Sequence, residues 1–203
     1  MEFTYSMDKA LIIFIKNPER GKVKTRLAAT LGKDKALEIY RQLLEHTRSI
    51  CEKVEADRLL FYSNYIDVDD VWVDKYFSKY VQTGSDLGAR MQAAFETAFG
   101  QGYRRVLIIG SDCADLSTDI IAAAFHQLRH HDTVIGPAND GGYYLLGMRQ
   151  LLTPVFERKQ WSTPSVLEDT RVDIENAGLT CYLLPQLTDI DTEEDYQSIV
   201  DSP

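Results

Sequence analysis

Cysteine is scarce in this chain: Cys51, Cys113 and Cys181 are its three, and no Cys-x-x-Cys pair occurs. An odd number at long spacings excludes a disulfide framework and a zinc site, and points to a reducing compartment. Positive charge is also short, with 22 Lys and Arg against 31 Asp and Glu and a net charge of −9. Such a surface repels nucleic acid and anionic lipid, so neither is an expected partner. Apolar runs stop at six residues, far below a membrane span. The first residues, MEFTYSMDK, lack the basic and apolar regions of a secretory leader, so a cytoplasmic protein is expected. Two phosphate-binding signatures are missing as well. No Gly-x-Gly-x-x-Gly follows a strand, and Gly21-Lys22 leads into Val23 rather than the Ser or Thr of a Walker loop.

What is present is a regular alternation. Residues 10–15, 59–62, 106–109, 132–136, 143–148 and 180–184 read as strands. Residues 33–53, 86–99, 120–128, 164–177 and 193–200 read as helices. Ala36, Leu37, Tyr40, Leu43, Leu44 and Thr47 make one apolar face of the first of these. Thr163 is the expected cap, Pro164 the first position and Gly178 the stop of the fourth. Residues 64–79 are acidic and aromatic and read as a loop excursion. With 203 residues, no repeat and no linker, the expectation is one domain over residues 1–203. Strand–helix alternation predicts an α/β fold of three layers around a mostly parallel sheet. Ligands of such sheets sit beyond the carboxyl ends of the strands, so the loops there carry the functional reading.

Lys16, Arg20, Lys22, Lys24 and Arg26 fall within eleven residues after the first strand, offset only by Glu19. Cations ahead of a helix start are unfavourable unless an anion joins them, which makes this loop a phosphate-binding candidate. After the central strand, Gly110-Ser111-Asp112-Cys113-Ala114-Asp115 brings two carboxylates to a strand end. Magnesium takes one or two carboxylates together with substrate phosphates, so Asp112 is the expected metal ligand and Asp115 a weaker one. Ser117 suits the cap of the following helix. No histidine lies in a functional-looking loop, so Cys113 reads as a plain buried thiol rather than a nucleophile. Asp140-Gly141 marks a hairpin, and its glycine pair with Gly142 would also let a ligand approach the backbone. Near the end, Thr192 and the acids from Glu193 to Asp195 suit a helix start. Asp189 and Asp191 precede that cap, and Asp191 is the better second metal ligand. Asp86 or Ser85 can cap its helix, which leaves Arg90 near the positive helix end without a structural role. Trp161 could stack a base or serve as a packing anchor.

Phe14 to Pro18, Gly21 to Leu27, Asp86-Leu87-Gly88-x-Arg90-Met91, Gly110 to Leu116, Asp140 to Tyr144, Trp161-Ser162-Thr163 and Asp189 to Thr192 together resemble a bacterial family. It is the family named as radical-SAM/selenodomain-associated transferases, placed in the GT-A nucleotide-diphospho-sugar transferase superfamily. The resemblance runs in order along nearly the whole chain, with Ala114 standing where the family pattern has proline. It implies a GT-A-like fold, a magnesium- or manganese-binding Asp112, and phosphate contacts from Lys24 and Arg26.

The expected function is therefore a metal-dependent transferase that uses a nucleotide sugar and an acceptor the sequence does not name. Lys24, Arg26 and Asp112 are its expected catalytic residues, and Asp112 and Asp191 its metal ligands. Lys16, Gly21, Lys22, Lys24, Thr25, Arg26, Arg90, Ser111, Asp140, Gly141 and Gly142 are expected to meet the nucleotide and its phosphates. A nucleotidyltransferase that releases pyrophosphate is the alternative, favoured by the early basic loop, and a non-catalytic nucleotide-binding module is a third reading. Neither base nor oligomeric state is readable.

Overall fold

A computed structural model describes residues 8–200. The leader reading of the first residues falls largely on residues 1–7 and so lies outside the described part. One seven-stranded sheet runs through the molecule in the order β3-β2-β1-β4-β6-β5-β7. Its strands are β1 (Lys9–Ile15), β2 (Asp57–Tyr62), β3 (Ser78–Val81), β4 (Arg105–Ile109), β5 (Thr133–Pro137), β6 (Tyr143–Met148) and β7 (Cys181–Leu183). All neighbours pair in parallel except β6, which runs against both β4 and β5.

Alternation along the strands builds two cores. Leu11, Ile13, Leu60, Leu107 and Ile109 face one side, where α2 (Lys33–Cys51) and α4 (Thr118–Gln127) pack. Ala10, Ile12, Leu59, Phe61, Val106 and Ile108 face the other, covered by α3 (Leu87–Gly100) and α5 (Val166–Asn176). A strand apolar on both faces needs cover on both, and this produces the three expected layers. A third cluster joins Leu27, Ala36 and Ile39 to Ile190 and docks α1 (Thr25–Leu31) beside α6 (Glu193–Val200).

Three expectations need correction. The excursion over residues 64–79 is anchored rather than loose: Trp72 and Phe77 are buried, and Lys79 pairs with Asp70 at 2.9 Å. It ends in the edge strand β3, whose single ladder to β2 leaves no buried run to betray it in sequence. The helix expected from Pro164 begins at Val166 instead. The Thr163 hydroxyl donates to the Gln160 carbonyl, and the Gly141 carbonyl accepts from Leu167 N–H, so Thr163 is not the cap. The other end is as expected, with Gly178 at φ 69. Ser117, Asp86 and Thr192 also cap their helices, Thr192 by exchanging hydrogen bonds with Asp195.

The candidate nucleotide site

The carboxyl ends of β1 and β4 lie side by side, since Ile13 pairs with Ile109. The loops that follow therefore open next to each other. Lys24 ends the first loop in the left-handed region, at φ 46, and starts α1. That backbone turn folds its side chain inward, where it is 4% exposed. Its ammonium lies 2.7 Å from Asp112 Oδ1 and 3.1 Å from Asp191 Oδ1. Burial alone would push the Lys24 pKa down, but Asp112 and Asp191 outweigh it and hold it above the ordinary lysine value. Arg26, the second residue of α1 and largely exposed, reaches Asp191 at 3.7 Å.

Asp191 arrives from the far end of the chain. After β7 the backbone runs along the sheet rim, bridging Leu187 to Ala138 and Asp189 to Cys113. Ile190 N–H then donates to the Asp112 carbonyl at 2.9 Å, which sets Asp191 beside Lys24. Asp189 turns inward. Burial, with Asp112, Asp140 and Asp191 nearby and Lys24 opposing them, pushes its carboxyl up to about 7. Sequence reasoning ranked Asp189 below Asp191; its inward turn on the rim distinguishes them.

Two residues outside the expected set hold the loops. The Tyr40 hydroxyl accepts from Lys16 N–H at 2.8 Å and lies 3.2 Å from Ser111 Oγ, joining the basic loop to the acidic one. Buried Asn17 donates to the Tyr65 carbonyl at 2.9 Å and accepts from Asn64 N–H at 3.1 Å, joining the loops after β1 and β2. A tyrosine on a mostly apolar helix face is the available signal for the first; Asn17 gives none.

Other expected residues fall into place unevenly. Lys16 is exposed in the same loop, and Thr25 is exposed as the first residue of α1. Lys22 pairs with Glu19 at 2.6 Å, and Arg20 forms two hydrogen bonds to Asp34, so these charges are partly occupied. Gly21 makes its turn at φ 76. Ser111 is buried and engaged by Tyr40. Arg90 is not joined to the Lys24 cluster: its guanidinium donates to the Gly84 carbonyl and braces its own helix start. Asp140 accepts from Gly142 N–H at 2.9 Å within the hairpin. Gly141, at φ 86, is approached by the Pro164 backbone, where an added Cβ would lie 2.3 Å from the carbonyl oxygen, so that closeness serves packing. Trp161 likewise packs on Gly88, where a Cβ would meet its ring at 2.5 Å, and acts as an anchor. Asp115 is exposed, and Cys113 is a buried thiol whose pKa burial pushes up to about 12.

Among the described residues no three His, Cys, Asp or Glu side chains gather as a metal site. Asp112 and Asp191 nevertheless touch the same ammonium and keep 39% and 44% of their side chains exposed. Two hard oxygen donors open to solvent fit a magnesium-type ion whose remaining ligands come from phosphates and water.

A model of the family described as "Uncharacterized protein conserved in bacteria (DUF2064)" matches residues 46–163. The structure of a candidate nucleotide-diphospho-sugar transferase from Desulfovibrio desulfuricans G20 is 33% identical, with a TM-score of 0.89 over 96% of this chain and 87% of that one. CMP:2-keto-3-deoxy-manno-octonic acid synthetase, in complex with CTP, shares the fold at 8% identity, with a TM-score of 0.57 over 94% and 96% of the two chains. So does 4-diphosphocytidyl-2C-methyl-D-erythritol synthase from Anaerococcus prevotii DSM 20548, at 12% identity and a TM-score of 0.60 over 94% and 93%. No curated protein sequence matches. The chain, with its mixed seven-stranded sheet and its lysine-bridged pair of aspartates at the strand ends, belongs to the DUF2064 family of bacterial proteins.

Proposed function

We propose that residues 1–203 form one nucleotide-using transferase domain that takes a nucleotide sugar as donor and passes the sugar to an acceptor. The observation that carries this reading is the buried Lys24 ammonium between Asp112 and Asp191 at the strand ends. A fixed cation beside two partly exposed carboxylates suits a phosphate-bearing donor: the ammonium meets charge that builds on the departing diphosphate. Arg26 reaches the same pair of carboxylates from α1, Lys16 and Gly21 belong to the loop that Lys24 ends, and Tyr40 keeps the two loops in register. Asp112 and Asp191 would hold a magnesium or manganese ion. When bound, that ion adds positive charge for the phosphates. In the transfer itself the bond from the anomeric carbon to the diphosphate oxygen breaks, the acceptor oxygen bonds to that carbon, and the acceptor proton leaves to a base. The finer kinship with radical-SAM/selenodomain-associated transferases belongs to this proposal and is supported by the motifs alone.

Nucleotidyl transfer is the second reading. It is favoured by the basic loop directly after β1 and by the synthetase neighbour that binds CTP. The two separate by product. Incubation with magnesium or manganese and each nucleotide sugar is expected to release a nucleoside diphosphate. Release of pyrophosphate from a nucleoside triphosphate, with every nucleotide sugar intact, would establish the second reading instead. No nucleotide binding by calorimetry would overturn both.

A further inference from the structure

The opposite rim of the sheet carries a second concentration of positive charge. Arg105 opens β4, Arg149 follows the end of the reversed strand β6, and Arg129 lies between α4 and β5. With Arg104 they line a cavity of about 570 Å³, together with Asp8 and Asp132. β4 separates the two rims, and its five residues at about 3.3 Å each place this cavity about 15 Å or more from Lys24.

Both carboxylates at the cavity are engaged. Asp8 accepts two hydrogen bonds from Arg105 Nη2, at 2.7 and 2.8 Å, which hold its pKa below the ordinary value. Asp132 accepts from the Thr180 backbone and hydroxyl. Among the described residues Arg104 and Arg129 form no ion pair, and Arg149 acts on Asp132 only through space. Four guanidinium groups against two carboxylates leave a local charge of +2, on a chain whose total is −9. An adjoining cavity of about 370 Å³ shares Arg105 and Arg129 and adds Lys9, Lys53 and Glu55, one further net positive charge. Arginines gathered with too few counter-charges among the described residues repel one another, and they suit an anion that meets planar guanidinium groups through paired oxygens. The volume is that of a small-molecule site.

We propose that this cavity is a second binding site, distinct from the strand-end site, for a small soluble anion bearing two or more phosphate charges. Inorganic pyrophosphate is the probe. In magnesium-free buffer with EDTA, a Lys24→Met variant, impaired at the strand-end site, is expected to keep binding pyrophosphate by calorimetry. Adding R104S, R129S and R149S is expected to weaken that binding at least tenfold, with an unchanged melting temperature because all three side chains are exposed. R129K with R149K is expected to fall between, since an ammonium keeps charge and loses the paired contact. On the unaltered protein, the backbone amide resonances of Arg105 and Arg149 are expected to shift with added pyrophosphate. Equal affinity in the triple arginine variant, or unshifted Arg105 and Arg149 amides at saturating pyrophosphate, would overturn the proposal.

Discussion

The Tyr40 hydroxyl stands 3.2 Å from Ser111 Oγ, across 71 residues of sequence, while accepting from Lys16 N–H and donating to the Lys16 carbonyl. A single phenol thus fixes the spacing between the basic and acidic loops. Tyr40→Phe keeps the ring in the core and strips those bonds, leaving buried polar groups unsatisfied at roughly 1–3 kcal/mol. Denaturant unfolding is expected to register that loss, and KM for the nucleotide to rise. Unaltered stability and KM together would remove Tyr40 from the positioning machinery.

Lys24→Met takes the cation from between Asp112 and Asp191 and leaves them facing each other. The proposed transfer is expected to fall by about 100-fold or more in kcat/KM, the scale on which a fixed transition-state donor acts. Arg26→Gln, on an exposed side chain with one long contact, is expected to cost about tenfold. A Lys24→Met enzyme with parental kcat/KM would end the assignment.

Asp112→Asn is expected to abolish metal-dependent nucleotide binding with the fold intact, because the carboxamide keeps the shape and loses the charge a divalent ion needs. Calorimetry with and without magnesium, beside a thermal melt, reads both. Binding equal to the parent would show that Asp112 does not hold the ion.

Asp189 gives the metal-free protein a pH signature. Its folded pKa, near 7, lies above the ordinary 3.8, so the folded state favours the protonated form. The contribution to stability is full below about pH 4 and is lost as pH rises through about 7. At about 1.4 kcal/mol per unit the loss amounts to a few kcal/mol. Asp189→Asn is therefore expected to melt higher than the parent at pH 8 and close to it at pH 4. A variant that melts no higher at pH 8 would show that the charged form is not strained.

Gly141→Ala asks for a side chain at φ 86 with its Cβ 2.3 Å from the Pro164 carbonyl oxygen. Strain and overpacking together are expected to cost roughly 2–4 kcal/mol and to loosen the start of α5. Hydrogen exchange at Leu167, whose N–H is held by the Gly141 carbonyl, checks the second effect.

Much of this was legible in sequence where burial imposes a pattern. The apolar run at residues 10–15 is β1 short of one residue, and the helix expected over residues 33–53 is α2 with its last two residues trimmed. β3 was not legible, because an edge strand with Ser78 exposed and one partner carries no apolar run. α1 was not set apart because, of its seven residues, only Leu27 is buried. In the site, Lys24, Arg26, Asp112 and Asp191 are found together because strand ends collect them. That Arg20 turns to Asp34 and Lys22 to Glu19 was hidden, since nothing in a run of charges says which will find a local partner. Tyr40 was read as core, which holds for its ring and misses its hydroxyl.

The contact between Lys24 and Asp191 joins residues 167 positions apart. During synthesis, then, the lysine emerges 167 residues ahead of the second of its two counter-charges. Until that moment the ammonium has Asp112 alone to offset its removal from water. The candidate site therefore forms later than the sheet that carries it, and a nascent chain that already holds β1 through β6 still lacks its second carboxylate.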